Sequence, residues 1–370
     1  MKFTFVKKSA LSLLLSLAVL SFFSCQQVIF DNIRKEVKLE NGMIAGDIPA
    51  IVKFKDYYFL SNGGIYCKHK SSSHYGSWIR LPSPAGHVIK LAADANYIYA
   101  LVGIYAENEK EGKNQGVRRD LYYSENGYTW LLVKGFGANG SLPYLSNYPV
   151  YIHLFCTNTI DAANRSAYVV VNDGARRTTN YACRLNGDSI IYLPLGLVDA
   201  STTPLSNAAA ASRSCVYYKG DVIFFSSLAS TTNETALSPA TVYYYGVGQW
   251  LRWDGEIKNI VGYSCEGTLM SLGVTADYLL VGTNAGIKHR PLTNRAPGPV
   301  SVDFKTNAAS TLNSAYQILS LLVVNPELNE TQTAIYASQV YSGTGSSNSA
   351  QFDHVGLWAY YPYRGNWNRE

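Results

Sequence analysis

Leu121-Tyr122-Tyr123-Ser124-Glu125-Asn126-Gly127-Tyr128-Thr129-Trp130 reads as a strand, a tight polar turn and then an indole. Asn side chains hydrogen-bond their own turn backbone, as Asp does, so Asn126 suits the turn, and Ser is a turn former of the same kind. Gly127 supplies the positive φ that a tight reversal needs. Trp130 then folds back onto the strands it follows. Burying an indole removes about 150–250 Å² from water, and at ~25 cal/mol per Å² this contributes roughly 4–6 kcal/mol gross. A short turn that delivers a large apolar side chain is a structural staple, not a catalytic loop.

The same ending recurs along the chain. "YGSWIRL", "NGYTWLLV", "NGDSIIYL", "VGQWLRW" and "RGNWNRE" each follow a Tyr-rich strand, and "VSVDF" is a worn copy. Trp78, Trp250 and Trp367 stand at a shared offset from Gly76, Gly248 and Gly365 and are expected to act as Trp130 does. Ahead of each ending lie three strand-like runs. The leading runs are "AIVKFK", "HVIKLAAD", "VYIHLFCTN", "SCVYYKG", "GTLMSLGV" and "QILSLLVV"; the second runs include "NYIYALVG" and "SAYVVVND", and the third "GIYCKH" and "TVYYYG". Units of four short strands every ~50–60 residues predict an all-β protein, a β-propeller of about six four-stranded blades. Composition agrees: 29 Tyr against three Met, and only 15% charged residues, favour half-buried pleated surfaces over helices. Helical periodicity is not sustained beyond the leader. A Greek-key double sandwich is the alternative fold, but it gives no reason for a repeated turn-Trp ending.

Ser124 to Trp130 resembles the Asp-box, Ser-x-Asp-x-Gly-x-Thr-Trp, of sialidases and many other propellers, with Asn126 where Asp is usual. The resemblance implies a propeller and carries no activity. Sialidases also have an early Arg-Ile-Pro segment, and this chain offers only Arg80-Leu81-Pro82 in another context.

The N-terminus, "MKFTFVKKSALSLLLSLAVLSFFSCQQ", has Lys2, Lys7 and Lys8 before an apolar run from Ala10 to Phe23. That run suits a secretory h-region and is short of the ~20 residues that span a bilayer. Ser24-Cys25 closes it in the manner of a bacterial lipobox, although Phe22 replaces the usual Leu, a looser box similar to those of spirochaetal lipoproteins. The expected organisation is a signal peptide over 1–24, a lipidated N-terminus and linker over 25–47, and a propeller domain over 48–370. Lipidation at Cys25 implies a membrane partner through acyl chains, each buried CH₂ worth ~0.8 kcal/mol. Cys67, Cys156, Cys183, Cys215 and Cys265 are irregularly spaced, without CxxC or a zinc pattern. They read as small buried hydrophobes, with one disulfide left open.

Formal charge is +5 with no basic tract, so nucleic acid is not an expected partner. The six His are scattered, with no HExxH, and there is no Gly-x-Ser-x-Gly, P-loop or dinucleotide fingerprint. The chain therefore reads as a non-enzyme with no cofactor and no metal. Asn164-Arg165-Ser166 and Asn233-Glu234-Thr235 match the glycosylation pattern, which a bacterial lipoprotein rarely uses. In a propeller, the connections between second and third strands share a face with the blade-to-blade links. The long polar inserts "IYAENEKEGKNQGVRRD", "NDGARRTTN", "SSLASTTNETALSPA" and "QVYSGTGSSNSAQFD" fall on that face. Loops on a rigid scaffold are where recognition concentrates. Arg118, Arg119, Arg176 and Arg177 are candidate binding residues there, and Tyr105, Tyr341 and Tyr361 are expected to be exposed.

Leader and repetitive β domain together look like treponemal surface lipoproteins, some of which bind fibronectin or laminin. This resemblance implies a lipid-anchored outer-membrane protein that binds macromolecules, a host-matrix adhesin. Two other classes stay open: a periplasmic scaffold comparable to the lipid-anchored propeller of the outer-membrane assembly machine, and a glycan-processing enzyme, which requires carboxylates converging on the central channel.

Overall fold

The computed structural model describes residues 44, 46–71, 78–104, 118–134, 150–159, 162–173, 181–193, 212–226, 241–246, 249–252, 269–292, 302–304, 312, 316–324, 334–341, 355–361 and 365–370, all within the unit Gly42–Glu370. The expected leader, Cys25 and the linker lie outside these residues. Among the described residues the structure is all-β apart from one 3-10 turn at Ala162–Asn164.

The strands follow in consecutive quartets. The first is β1 (Ala50–Phe54), β2 (Tyr57–Asn62), β3 (Gly64–His69) and β4 (Ile79–Leu81). The second is β5 (His87–Ala93), β6 (Ile98–Ile104), β7 (Arg118–Ser124) and β8 (Leu131–Leu132). Next come β9 (Val150–Asn158), β10 (Ala167–Asp173), β11 (Tyr181–Asn186) and β12 (Ser189–Leu193), then β13 (Ser212–Tyr218), β14 (Asp221–Ser226), β15 (Thr241–Gly246) and β16 (Gln249–Arg252). The last are β17 (Leu269–Val274), β18 (Tyr278–Thr283), β19 (Gly286–Pro291), β20 (Val302–Asp303), and β21 (Tyr316–Val324), β22 (Ala334–Tyr341), β23 (Gly356–Tyr361), β24 (Asn366–Arg369).

Each quartet is an antiparallel meander, and among the described residues the meanders form five hydrogen-bonded sheets. One is eight-stranded, because β9 and β13 pair in parallel through Cys215↔Thr157 and Val216↔Asn158. The leading strands pack one on the next: β1 on β5, β5 on β9, β9 on β13, β13 on β17, β17 on β21, and β21 back on β1. That closed circuit is a propeller-like ring.

Burial grades outward from this circuit. β21, β22 and β23 are buried almost throughout, whereas β4 and β8 are largely exposed. Sheets covered on both faces read as continuous apolar runs, which is why "YALVG" and "LLVV" do not alternate. The core is divided into clusters between neighbouring sheets. Val52, Phe59 and Ile65 meet Leu91 and Val102, and Tyr99 and Leu101 meet Val169 and Leu185. Phe155 and Tyr168 meet Phe224, and Val216 meets Leu272 and Val281. Ile51 and Leu60 meet Leu322 and Leu357.

Several leading strands share a defect. Register shifts interrupt β5 between Val88 and Lys90, β13 between Ser212 and Ser214, β17 between Leu269 and Ser271, and β21 between Ile318 and Ser320. A bulge re-aims the residue that follows it.

Candidate functional site

The Ser124–Trp130 turn closes on itself. The Gly127 N–H donates to Ser124 Oγ (2.8 Å), and the Tyr128 and Thr129 N–H groups donate to Asn126 Oδ1 (2.8 and 2.9 Å). Gly127 has φ +78°, and a Cβ there would meet the Phe59 ring at 2.5 Å. Trp130 is half-buried, and its Nε1–H donates to Pro82 O at 3.3 Å. The turn of the second quartet thus clamps onto the first. Trp367 is buried against Phe304, which follows the fifth quartet, and Trp78 is buried against Tyr336 of the sixth. Each of these indoles reaches the preceding quartet. Trp250 lies within β16, and its side chain is outside the described residues.

The candidate recognition residues divide differently from the sequence expectation. Arg118 and Arg119 are not in a loop: they open β7, paired with Ile104 and Gly103. Burial lowers the Arg119 pKa. Tyr341 ends β22 half-buried, its ring edge-on to Tyr316 at 5.7 Å. Tyr361 is buried at 3% exposure, a correction to its expected exposure, because β23 is covered on both faces. Arg176, Arg177 and Tyr105 lie outside the described residues.

Large apolar side chains do reach solvent elsewhere. Ile79 on β4, Leu131 and Leu132 on β8, and Ile191 and Tyr192 on β12 are exposed along outer strands, with Tyr57 and Tyr128 near the first two quartets.

Two polar assemblies were not anticipated. The first riveting group is Tyr99 on β6, whose hydroxyl donates to Asp94 Oδ2 (2.5 Å) and accepts from the Gly187 N–H (2.8 Å), tying the second quartet to the third. Asp94 Oδ1 also accepts from the Asn96 and Tyr97 N–H groups, both at 2.7 Å. A similar assembly closes the ring. Lys68 Nζ on β3 lies 2.5 Å from Glu370 Oε2, both side chains buried, and Tyr361 OH donates to Glu370 Oε1. Lys68 also sits over the Trp78 ring at 5.7 Å. Burial, with the Tyr336 hydroxyl and the Glu370 charge nearby, raises the Tyr361 pKa far above the ordinary phenol range; burial alone raises Tyr58 to about 12.

The leading strands surround a cavity of about 80 Å³. Leu91, Leu154, Leu272 and Leu321 contribute apolar wall, while Lys90, Ser214, Ser271 and Ser320, the residues that follow the four bulges, also line it. Lys53 from β1 and Arg165, 6% exposed, complete the charged part. Arg165 donates to Lys53 O (2.8 Å) and Thr159 O (3.1 Å), and Lys90 Nζ to Pro49 O (2.5 Å). Burial lowers the Lys53 pKa first, and the positive charges of Arg165 and Lys70 lower it further. Among the described lining residues none is Asp or Glu.

Cys67, Cys156, Cys183 and Cys215 are free thiols; burial raises Cys183 to about 12 and Cys215 well above its ordinary value. Among the described residues no group of three His, Cys, Asp or Glu could hold a metal ion, and no helix is long and apolar enough to cross a membrane.

This fold and channel define an all-β, propeller-like protein. No protein-family profile matches the chain, and no curated protein does. Solved structures similar to it include a DUF4623 family protein from Bacteroides eggerthii (9% identity, TM-score 0.42, 84% of this chain and 69% of that one). Others are the computationally designed Ika8 protein (11%, 0.36, 89% and 97%) and the C-terminal domain of gp131 from bacteriophage phiKZ (14%, 0.40, 86% and 80%).

Proposed function

We propose that this chain is a lipid-anchored, six-bladed β-propeller of the bacterial cell envelope that binds macromolecules through one face, in the manner of a host-matrix adhesin. The eight-stranded sheet counts as two blades on this reading. Its halves are complete meanders joined only where leading strands run side by side, as leading strands do around the whole circuit.

One observation carries the binding assignment: where the long connections attach. β9 and β13 run parallel, and each quartet alternates direction; on the propeller reading the other leading strands share that direction. Second-to-third connections and quartet-to-quartet links therefore leave from the same face. Residues 105–117, 174–180, 227–240 and 342–355 join the former, and 133–149, 194–211 and 253–268 the latter. On the opposite face the connections range from two residues (55–56, 187–188, 219–220, 247–248) to the longer 70–78, 159–166, 292–301 and 325–333, so the longest connections between named strands, such as 133–149, 194–211 and 227–240, all leave from the first face. A scaffold that gathers its longest connections on one side presents a recognition surface. Attachment through Cys25 rests on the leader.

Globomycin treatment and mass spectrometry of the mature N-terminus test the anchor. Saturable binding of the soluble chain to immobilised fibronectin or laminin, lost on shortening residues 105–117 and 227–240, is the expected result for the adhesin. Protection from protease on intact cells would contradict surface display and favour the periplasmic scaffold.

A further inference from the structure

We propose that the outer strands of the first three quartets form a docking surface for a lipid bilayer with anionic headgroups. The choice of occupant rests on the lipid-anchor reading; the surface itself does not.

The first observation is where apolar surface remains. Ile79 on β4, Tyr128 in the turn before β8, Leu131 and Leu132 on β8, and Ile191 and Tyr192 on β12 are 38–64% exposed. Among the described residues, every exposed large hydrophobic side chain belongs to these three quartets. In the sixth quartet the outer strand buries Trp367 instead. Single exposed apolar residues are ordinary, but a continuous patch of them marks an interaction surface.

The second is continuity. Leu132 pairs with Tyr122 and Leu131 with Tyr123. Tyr122 packs in the cluster shared with the first quartet, and Tyr123 in the one shared with the third. Directly paired residues stand on the same side of a sheet, so the two leucines face opposite neighbours. Trp130 Nε1–H reaches Pro82 O, just past β4, and Lys134 Nζ lies 3.1 Å from Asp188 in the turn into β12. The patch thus crosses both gaps between the outer strands.

The third is charge. Arg80 follows Ile79, Arg184 pairs with Ile191, and Lys134 comes shortly after β8, all of them exposed. With Lys55 they outnumber the neighbouring acids Glu125 and Asp188, while Asp56 is paired with Lys70 at 2.6 Å. Apolar side chains and tyrosines interleaved with Lys and Arg match a membrane interface. The rings and aliphatic chains enter the headgroup boundary, and the cations meet anionic phosphates. A second copy of the chain would also cover apolar surface, and the anchor decides between the two. From Cys25 to Ala50 the chain spans at most ~90 Å even when fully extended. Tethering on that scale keeps the bilayer at a high effective concentration beside the patch.

The test uses the soluble chain from Gln26 onward, which keeps the compact unit Gly42–Glu370 and carries no acyl chains. Vesicles are phosphatidylcholine alone or mixed equally with phosphatidylglycerol. Co-sedimentation with the mixed vesicles at low salt is expected, and less with phosphatidylcholine alone. The double variants Leu131→Gln with Leu132→Gln, and Ile191→Gln with Tyr192→Ser, are each expected to weaken it at least fivefold with unchanged circular dichroism spectra. Lys219→Glu, on the fourth quartet, is expected to leave it unchanged. If a double variant fails to fold, Leu132→Trp replaces it, its added fluorescence shifting to the blue on mixed vesicles and being quenched by brominated lipid. Absence of binding to mixed vesicles, equal binding by the double variants and wild type, or an indole that does not respond would overturn the surface. Self-association removed by the same variants, without vesicle binding, would assign the patch to a second copy and overturn the lipid. None of these failures touches globomycin sensitivity or the acylated N-terminus, so the anchor is tested separately.

Discussion

The first quartet is flanked by two seams built from different chemistry. Toward the second quartet, contacts are apolar or end on backbone carbonyls, with no carboxylate partner among these contacts: Gly127 sits over Phe59, Trp130 reaches Pro82 O, Lys55 Nζ donates to Glu125 O (2.6 Å), Lys90 Nζ to Pro49 O, and the Val88 N–H to Gly63 O at 2.9 Å. Toward the sixth, Ile44 and Ile48 share a cluster with Leu357 and Tyr361, but the centre is the buried Lys68–Glu370–Tyr361 group beside Trp78 and Tyr336. The first seam joins neighbours in the chain, so connectivity already limits how the sheets can meet. The second joins residues 302 positions apart. Apolar surface alone is non-directional and would allow slipped closures. A buried ion pair adds little net stability over a hydrophobic pair but penalises any register that separates its charges.

Breaking the closing seam should have the largest effect. Glu370→Ala leaves the Lys68 ammonium buried without its carboxylate, and a loss of about 3–5 kcal/mol is expected in urea unfolding. Trp367→Ala should follow at about 3–4 kcal/mol, and Trp130→Ala, half-buried, at clearly less, with melting temperatures ranking the two. The tyrosines give a pH signature. Tyr58, Tyr99, Tyr168, Tyr336 and Tyr361 all have folded pKa values raised chiefly by burial. A raised folded value means the stabilisation is complete below the unfolded phenol value near 10 and is lost as pH rises through the folded one. Stability should thus be level with respect to these groups below pH ~10 and fall above it, by about 1.4 kcal/mol per pH unit for each tyrosine held neutral. Chemical denaturation at pH 9, 10 and 11 checks this.

The continuous seam should respond to shape rather than charge. Gly127→Ala is expected to cost about 1–3 kcal/mol, since it combines a φ of +78° with a collision against Phe59. Asn126→Asp restores the usual residue of the turn and keeps the acceptor for the Tyr128 and Thr129 N–H groups. It should shift stability by no more than ~0.5 kcal/mol.

Strands were the legible part of this protein. "GIYCKH" and "TVYYYG" are β3 and β15 residue for residue, since Tyr, Val and Ile runs bounded by Gly and Asn turns leave little freedom. The channel was not legible. Lys90, Ser271 and Ser320 each look like a lone polar residue in an apolar stretch, and Ser214 like the end of the polar run Ser212-Arg213-Ser214; their shared place after a bulge on the cavity wall is what joins them. A polar residue recurring in the leading run of several repeats was the available signal. Arg165 hid inside a glycosylation pattern. Arg118 and Arg119 adjoin a long polar insert and read as loop, but they pair with Ile104 and Gly103. Lys68 and Glu370 had no sequence signal, because a partner far along the chain leaves no local spacing to read.

A double-mutant cycle on Lys68→Met and Glu370→Leu tests most directly whether β21–β24 closes onto β1–β4. Each single change should be strongly destabilising and the double change much less so, a coupling of at least about 2 kcal/mol in urea unfolding. Additive losses, with coupling near zero, would mean that the two side chains do not meet and that the ring is not closed by this seam.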